Sequence, residues 1–217
     1  MKAIIFDLDG VICSTDEYHY QAWKKLADKL GIYFDRTINN RLRGISRMES
    51  LEIILERSDR QYTPEEKEAF VAEKNETYRS LLSNMSPKDL SDEVKSTLDE
   101  LRRRGYLLAI GSSSKNTKYI LERLGLNGYF DAVSDGTNII RSKPDPEVFL
   151  KAAEMLNVPP EECAIVEDAV AGVKAGKAAG MLTVATGDAA RANIADYNIN
   201  SFSELLNIFR PLASSHS

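Results

Sequence analysis

Four short polar segments of this sequence carry side chains that could hold a metal ion and a phosphate group together. Their members are Asp7, Asp9, Ser112, Lys143, Glu167 and Asp168. Clustered carboxylates repel one another unless a cation joins them, and oxygen-only ligands favour a hard ion such as Mg²⁺. A cation also keeps a carboxylate ionised, so that it can act as a nucleophile. The set therefore predicts phosphate chemistry on a metal, with the hydroxyl and the ammonium group contacting the phosphate.

Each of these segments also has a structural interpretation. A single Asp-x-Asp motif is common, and Glu167 with Asp168 could cap the helix that follows. The serine run at 112–114 could be a turn with a cap, and Lys143 before a proline is typical of a solvated loop. The functional interpretation depends on all four segments falling, in order, at predicted strand ends.

Short apolar runs without polar alternation precede the polar segments, as is typical of strands buried on both faces. The runs lie at 3–6, 107–110, 132–133, 164–166 and 182–185. Helical patterns lie between them at 94–104, 117–124, 146–156 and 170–179. This alternation predicts a doubly wound, Rossmann-like parallel α/β sheet. Ligands of such sheets bind beyond the carboxyl ends of the strands, where the polar segments fall.

Residues 15–85 break the alternation, because they contain helical patterns only. The patterns lie at 16–30, 48–57 and 65–82. A helical cap domain inserted after the first strand is the simplest explanation. We therefore expect an α/β core domain made of residues 1–14 and 86–217, and a helical cap domain made of residues 15–85.

Length and composition are those of an ordinary globular protein. The chain has 217 residues, 43% hydrophobic and 28% charged, with a net charge of −5. Without a basic surplus, we expect no nucleic-acid or membrane partner, and no apolar run approaches the roughly 18 residues that span a bilayer. Cys13 and Cys163 match no zinc motif, so we expect reduced, buried thiols in a cytoplasmic protein. Residues 214–217 look like a loose end.

Several motifs carry a family resemblance. Phe-Asp-Leu-Asp-Gly-Val at 6–11, Ser112 after its apolar strand, Ser-Lys-Pro-Asp-Pro at 142–146 and Val-Glu-Asp at 166–168 resemble the signature motifs of the haloacid dehalogenase superfamily. The insert position resembles that of its helical-cap subclass. Segments 15–23, 42–47, 49–51, 74–75 and 112–116 further resemble the β-phosphoglucomutase family. This resemblance implies Mg²⁺-dependent interconversion of β-glucose 1-phosphate and glucose 6-phosphate through an aspartyl-phosphate and β-glucose 1,6-bisphosphate.

The resemblance also implies roles for individual residues. Those at the reacting phosphate are Asp7 as nucleophile and metal ligand, Asp9 as general acid/base and as a metal ligand through its backbone carbonyl, Ser112 and Lys143 as phosphate contacts, and Glu167 and Asp168 as metal ligands. Those around the substrate are Arg47 at the distal phosphate, Ser114, Lys115 and Asn116 at that phosphate or the sugar, and His19, Trp23, Gly44, Ser50 and Lys74 around the sugar. His19 and Trp23 could instead only pack the cap, and Arg47 could belong to a solvated face.

The chemistry of these residue types agrees with the implied roles. Arg47 is always charged and offers a donor fork that suits a phosphate. For Asp9 to act as an acid, its pKa must rise relative to that of Asp7, and we expect cap closure to set the difference. The chain departs from the family pattern in several places, including 91–93, where Pro-Gly is usual, and Ala169, where serine is frequent. Arg43 stands where relatives commonly have lysine, and 186–188 lacks the familiar Gly-x-Gly.

The enzyme expected from this resemblance is a monomer that acts on sugar phosphates in maltose or trehalose phosphorolysis. The main alternative is a Mg²⁺-dependent sugar-phosphate phosphatase of the same superfamily, in which water attacks the aspartyl-phosphate. Arg47, Lys74 and residues 112–116 favour the mutase, because a phosphatase need not hold a second phosphate. A receiver-like signalling module is a further alternative, but such modules have no helical insert after the first strand.

Overall fold

A computed structural model describes residues 1–212, so the loose end expected at 214–217 lies outside the described residues. The strands are β1 (Ala3–Phe6), β2 (Leu107–Gly111), β3 (Ala132–Ser134), β4 (Cys163–Glu167), β5 (Leu182–Ala185) and β6 (Tyr197–Asn198). They form one parallel sheet in the order β3-β2-β1-β4-β5-β6. The predicted sheet is confirmed. The sequence did not predict β6, because its two residues are exposed and give no apolar run.

The helices pack against this sheet and against one another. They are α1 (Asp16–Leu30), α2 (Arg36–Asn40), α3 (Arg47–Leu55), α4 (Pro64–Leu82), α5 (Asp92–Arg103), α6 (Thr117–Arg123), α7 (Glu147–Leu156), α8 (Val170–Ala178), α9 (Gly187–Ala192) and α10 (Leu205–Ile208). Short 3₁₀ turns cover Pro87–Asp89, Pro160–Glu162 and Phe202–Glu204. The helices that the sequence did not predict are α2, α9 and α10, since each is too short to show a helical period.

Strand β1 explains why the apolar runs lack polar alternation. Ile4 and Phe6 lie in a hydrophobic cluster with residues of α5, α6 and α10. Ala3 and Ile5 point to the opposite side, into a second cluster with residues of α7 and α8. Helices therefore cover both faces of the sheet, and every side chain of the strand is buried.

The helical insert between β1 and β2 has a hydrophobic cluster of its own. Its buried members include Trp23, Leu26, Ile38, Leu51, Ile54 and Val71. Tyr78 and Leu82 in α4 belong instead to a cluster of the sheet. Helices α1 and α4 pack against each other and join the two parts. The division into domains at 14/15 and 85/86 stays a prediction.

The sheet register brings the polar segments to one edge. Phe6 pairs with Ile110 on one side and with Val166 on the other, so the residues that follow these strands come out side by side. The chain connections run in opposite directions from β1 and β4, which is where open α/β sheets bind ligands.

Among the described residues, no helix has both the length and the apolar character needed to cross a membrane. Cys13 and Cys163 are both buried and unpaired, as expected.

Candidate active site

A cleft of about 730 Å³ separates the edge of the sheet from the helical insert. All predicted site residues line it: Asp7, Asp9, His19, Trp23, Gly44, Arg47, Ser50, Lys74, Ser112, Ser114, Lys115, Asn116, Lys143, Glu167 and Asp168. The fold therefore brings the candidates together from opposite ends of the sequence, while their individual roles stay predictions.

Lys143 is the central cation on the sheet side of the cleft. Its ammonium nitrogen lies 2.5 Å from Asp7 Oδ1 and 2.8 Å from Glu167 Oε1. Burial by itself lowers the pKa of Lys143, but these carboxylates outweigh it and hold the pKa above its ordinary value. The side chain is only 3% exposed, so the solvated-loop interpretation of Lys143 is wrong.

Three carboxylates form a group that could hold a metal ion. Asp7, Glu167 and Asp168 each offer an oxygen, and these oxygens lie within 4.8 Å of one another. Burial raises the pKa of both Asp7 and Asp168, and the negative charge of Glu167 raises both further. Ionising these groups together therefore costs free energy that a bound cation would offset. The oxygen-only donor set fits Mg²⁺.

Two glycines make room for these carboxylates. A methyl group at Gly10 would overlap the carboxylate of Asp168, and one at Gly172 would overlap that of Glu167. Gly10 also has a φ of +89°, which side chains rarely adopt. Glu167 Oε2 accepts a hydrogen bond from the backbone N–H of Ala169 at 2.8 Å, which closes a turn before α8, and Ala169 at the start of this helix makes no side-chain cap.

Asp9 is held by the first turn after β1. Its Oδ1 accepts a hydrogen bond of 2.6 Å from the backbone N–H of Thr15, and its Oδ2 lies 3.9 Å from His19 Nε2. Enclosure in the cleft raises the pKa of Asp9 to about 6, against the opposing effect of the Thr15 hydrogen bond. The pKa of Asp7 also rises to about 6. The chain alone therefore does not separate the two pKa values in the way that the expected roles require.

The insert contributes cations to the opposite side of the cleft. Lys74 is 2% exposed, and its nitrogen lies 2.8 Å from His19 Nδ1 and over the rings of Trp23 and Tyr78. Burial lowers the pKa of Lys74 well below its ordinary value, and the charge of Arg47 lowers it further. In the described part of the chain, neither Lys74 nor Arg47 forms an ion pair with a carboxylate.

His19 and Trp23 also have the packing role that the sequence allowed. His19 stacks on the ring of Tyr78 with centroids 4.0 Å apart, and Trp23 is buried in the hydrophobic cluster of the insert. Burial, Lys74 and Arg47 together lower the pKa of His19 well below its ordinary value. A neutral imidazole at this position can both donate and accept a hydrogen bond.

The segment that follows β2 forms a turn before α6. Ser112 Oγ accepts a hydrogen bond from the Ser114 N–H, and Ser114 Oγ accepts one from the Asn116 N–H. The amide of Asn116 donates to Asn75 Oδ1 and accepts from Arg79, both at 2.9 Å. The turn interpretation is therefore right for the backbone, and the Asn116 amide joins the sheet side of the cleft to α4.

The remaining candidates lie around the mouth of the cleft. Lys115 is exposed, and Arg47 is the first residue of α3 and half-buried. Ser50 Oγ donates to the Ser46 carbonyl at 3.0 Å within the same helix. Gly44 has a φ of +76° and rests against Ala169, so the loop before α3 touches the sheet side.

The sequence did not single out Thr15 and Tyr78 as site residues. The Tyr78 hydroxyl donates to Thr15 Oγ1 at 2.9 Å, while the Thr15 N–H holds Asp9. Tyr78 was interpreted only as part of an apolar helix face. A tyrosine buried this deeply needs a partner for its hydroxyl group, and that is the signal that could have marked it.

Known proteins resemble this chain in sequence and in fold. A family model described as haloacid dehalogenase-like hydrolase matches residues 1–180. A β-phosphoglucomutase from Bacillus subtilis is 44% identical over 207 residues, covering 94% of this chain and 92% of the relative. A fructose-1-phosphate phosphatase from Escherichia coli is 35% identical over 82% of this chain and 92% of its own. The crystal structure of a β-phosphoglucomutase from Clostridium difficile superimposes with a TM-score of 0.88 at 40% identity, covering 94% of this chain and 93% of the other.

Proposed function

Because this chain belongs to the haloacid dehalogenase-like hydrolase family, we propose that it is a β-phosphoglucomutase. It would interconvert β-glucose 1-phosphate and glucose 6-phosphate through β-glucose 1,6-bisphosphate. The main support for the proposal is the arrangement of charged side chains on the two sides of the cleft. The sheet side offers a carboxylate nucleophile beside a fixed ammonium group, and the insert offers Arg47 and Lys74, which have no carboxylate partner among the described residues. A sugar with a phosphate at each end would place one phosphate at the sheet side and the other at the cations of the insert.

Asp7 would begin the reaction. One of its carboxylate oxygens attacks the phosphorus of the bisphosphate, and the bond between phosphorus and the sugar oxygen breaks as the aspartyl-phosphate forms. Asp9 donates its proton to that departing oxygen, and its raised pKa of about 6 suits a group that changes protonation near neutral pH. The sugar monophosphate then leaves. In the other half of the cycle, the free hydroxyl of β-glucose 1-phosphate attacks the phosphorus of the aspartyl-phosphate, the bond to Asp7 breaks, and Asp9 takes the hydroxyl proton. The bisphosphate that forms reorients before it transfers its other phosphoryl group to Asp7.

Lys143 would position the nucleophile and balance charge. Its contacts with Asp7 and Glu167 fix the carboxylate geometry before substrate binds. As negative charge moves between the carboxylate and the phosphoryl oxygens, a fixed ammonium group remains close to it. Ser112 lines the same part of the cleft and would donate its hydroxyl to a phosphoryl oxygen.

Asp7, Glu167 and Asp168 would hold Mg²⁺, together with the backbone carbonyl of Asp9. The bound ion would neutralise phosphoryl oxygens and keep Asp7 ionised, which separates its pKa from that of Asp9. Excess EDTA should abolish turnover, and Mg²⁺ should restore it. The same additions should leave the folded fraction of the protein, measured by circular dichroism at 25 °C, unchanged.

The arginine of the insert would hold the phosphate that is not reacting. Arg47 is half-buried at the start of α3, and a planar guanidinium group binds phosphate through paired hydrogen bonds. Lys115 is exposed at the mouth and would approach the same phosphate from the sheet side.

One incubation tests the proposal. The protein is given Mg²⁺, β-glucose 1-phosphate and a trace of β-glucose 1,6-bisphosphate, and both glucose 6-phosphate and inorganic phosphate are measured. We expect glucose 6-phosphate in large excess over inorganic phosphate. Asp7→Asn is the control, and it should lower turnover by roughly 10⁴-fold or more, because it removes the nucleophile.

A sugar-phosphate phosphatase is the second candidate, because the Escherichia coli relative carries such a name. It would form the same aspartyl-phosphate and pass it to water. Release of inorganic phosphate without glucose 6-phosphate in the same incubation would establish it and end the mutase proposal.

A further inference from the structure

Arg43 connects the insert to the sheet side of the cleft. It lies in the loop between α2 and α3, and its Nη1 is 3.4 Å from Asp188 Oδ2 in the first turn of α9. Its Nη2 is 3.1 Å from Asp16 Oδ2 at the start of α1. One guanidinium group thus binds a carboxylate of its own part of the molecule and a carboxylate of the opposite part.

The backbone around this contact lies beside the acidic cluster. A methyl group at Gly44 would be 3.4 Å from the Ala169 Cβ, and one at Gly187 would be 3.6 Å from the Asp168 Cβ. Arg43 and Asp188 themselves line the cleft. The contact therefore forms part of the wall that separates the reacting phosphate from bulk water.

Other side-chain links between the insert and the sheet lie near both places where the chain passes from one part to the other. Asp9 binds the Thr15 N–H near the first of them. Arg79 binds Asn116 near the end of α4, and Arg123 donates to the Met85 carbonyl just beyond that helix. Arg43 also lies near the first of these places in space, because it binds Asp16 at the start of α1. The Arg43–Asp188 contact adds a separate link from the loop between α2 and α3 to α9.

We propose that Asp188 is a positioning residue that holds Arg43 and thereby keeps the insert closed over the aspartyl-phosphate. This inference rests on the proposed mutase function. In the closed state a sugar hydroxyl attacks phosphorus, the bond to Asp7 breaks, and Asp9 takes the hydroxyl proton. When the contact opens, water attacks the same phosphorus, Asp9 takes a proton from the water, and inorganic phosphate leaves. Asp188 therefore lowers the share of phosphoryl groups lost to water.

The solvent exposure of Arg43 and Asp188 determines how strongly their contact holds the insert closed. The side chains of Arg43 and Asp188 are 38% and 49% exposed, so the contact is modest and screened by salt. Asp16 retains Arg43 when Asp188 is lost, so the guanidinium group stays oriented and the contact can re-form. These properties describe a reversible closure that still allows substrate to enter.

The test measures inorganic phosphate released per glucose 6-phosphate formed, at low and high salt. Asp188→Asn should raise this ratio about two- to fivefold at low ionic strength, the range for an exposed ion pair. In about 0.5 M NaCl the wild-type ratio should approach that of the variant, because salt screens the pair. Asp188→Glu should restore part of the wild-type behaviour.

Asp188 also forms an ion pair with Arg191 inside α9, so Arg191→Gln is one control, which removes that pair and leaves Arg43 in place. Glu56→Gln is the other control. It removes the ion pair with Arg41, which is 2.9 Å long, comparably exposed and confined to the insert. Both controls should give the wild-type ratio. An unchanged ratio in Asp188→Asn, or an equal rise in either control, overturns the proposal.

A second measurement needs no substrate. Trp23 is the only tryptophan of the chain, is 2% exposed and lines the cleft. Opening should let acrylamide quench its fluorescence, so Asp188→Asn should be quenched more than either the wild type or Glu56→Gln at low salt. Equal quenching overturns the inference even for an active mutase. A protein that only releases inorganic phosphate but shows the expected quenching overturns the proposed function and leaves the closing contact standing.

Discussion

The sheet and the helical insert each bury one lysine at the cleft, and the two ammonium groups have opposite surroundings. Lys143 is 3% exposed and lies between the carboxylates of Asp7 and Glu167, which hold its pKa above the ordinary value. Lys74 is 2% exposed, and burial lowers its pKa well below that value. Burial is nearly equal at the two positions, so the partners decide which lysine stays charged in the absence of substrate.

The different partners of the two lysines indicate different roles for the two sides of the cleft. On the sheet side, Lys143 is bound to carboxylates before any substrate arrives, so its position is fixed. On the insert, Lys74 faces His19, and the positive charge of Arg47 close by lowers the pKa of Lys74 further. The charged form of Lys74 is therefore unfavourable until an anion enters the cleft. This side of the cleft is thus complementary to an anionic ligand rather than to a carboxylate of the described residues.

Lys143→Met gives the largest expected effect and tests the sheet side. It leaves Asp7 and Glu167 buried without their cation, which should lower the free energy of unfolding by about 3–5 kcal/mol. Turnover should fall about 10²- to 10³-fold, since a charge beside the reacting phosphate is lost. Urea unfolding in EDTA measures the first effect and glucose 6-phosphate formation the second.

Lys151→Met is the matched control for that variant. This lysine is on α7 and is 40% exposed, and its one carboxylate contact within residues 1–212 is with Glu147, at 3.7 Å. Its removal should change stability by less than about 0.5 kcal/mol. Equal stability of Lys143→Met and the wild type would contradict the assignment of a structural ion pair.

Arg47→Ala gives the next largest effect and tests the insert. Loss of charge-assisted hydrogen bonds to the distal phosphate should lower kcat/KM for the mutase reaction about 10- to 100-fold. Hydrolysis of an aryl phosphate, which has no second phosphate, should change less than about threefold if only that contact is lost. Arg60→Ala removes an exposed arginine of the insert and should alter neither rate. Equal losses in both reactions would show that Arg47 acts elsewhere.

Lys74→Met should have an effect on stability opposite to that of Lys143→Met. It replaces a buried amine, which contacts His19 but has no carboxylate partner among the described residues, with an apolar chain of similar length. The free energy of unfolding should rise by about 1–2 kcal/mol while mutase turnover falls, because functional sites often trade stability for activity. Urea unfolding compares the variant with the wild type. Destabilisation as large as that of Lys143→Met would refute the contrast between the two lysines.

The smallest expected effect is the pH dependence of the stability gained in Lys74→Met. Between the lowered pKa of Lys74 and the ordinary value of 10.5, the unfolded chain binds a proton that the folded chain does not. The wild type therefore gains stability relative to Lys74→Met as pH rises through this range. Thermal unfolding at pH 6 and pH 9.5 should show a larger difference in Tm at the lower pH. A difference that is the same at both values would mean that Lys74 titrates normally.

The sequence predicted those features that depend on local pattern. The apolar runs indicated the buried strands, and the segments that follow them indicated the edge where Asp7 and Asp168 meet. The partners of individual side chains could not be predicted, because they come from distant parts of the chain. Asn116 and Asn75 are 41 residues apart, and Arg43 and Asp188 are 145 apart. No local period encodes such pairs, so the occupied amide of Asn116 was missed.

Short elements escaped prediction for a related reason. Helix α9 has six residues, and it matters because it presents Asp188 to the insert. Its sequence is rich in alanine and shows no apolar stripe. The helix can therefore be recognised only from its contacts in the folded protein. The same holds for Gly10 and Gly172, whose missing side chains matter only beside the carboxylates that occupy the space.

The assignment of Tyr78 and Leu82 to the hydrophobic cluster of the sheet has a consequence for protein engineering. The insert has its own cluster, so it looks like a module that could be exchanged between scaffolds. Yet its longest helix supplies two large side chains to the other part. A shortened protein lacking residues 15–85 would lose these two side chains from the cluster and leave a cavity or exposed apolar surface there. Transplanting the insert would therefore require a host with a matching hollow to receive α4.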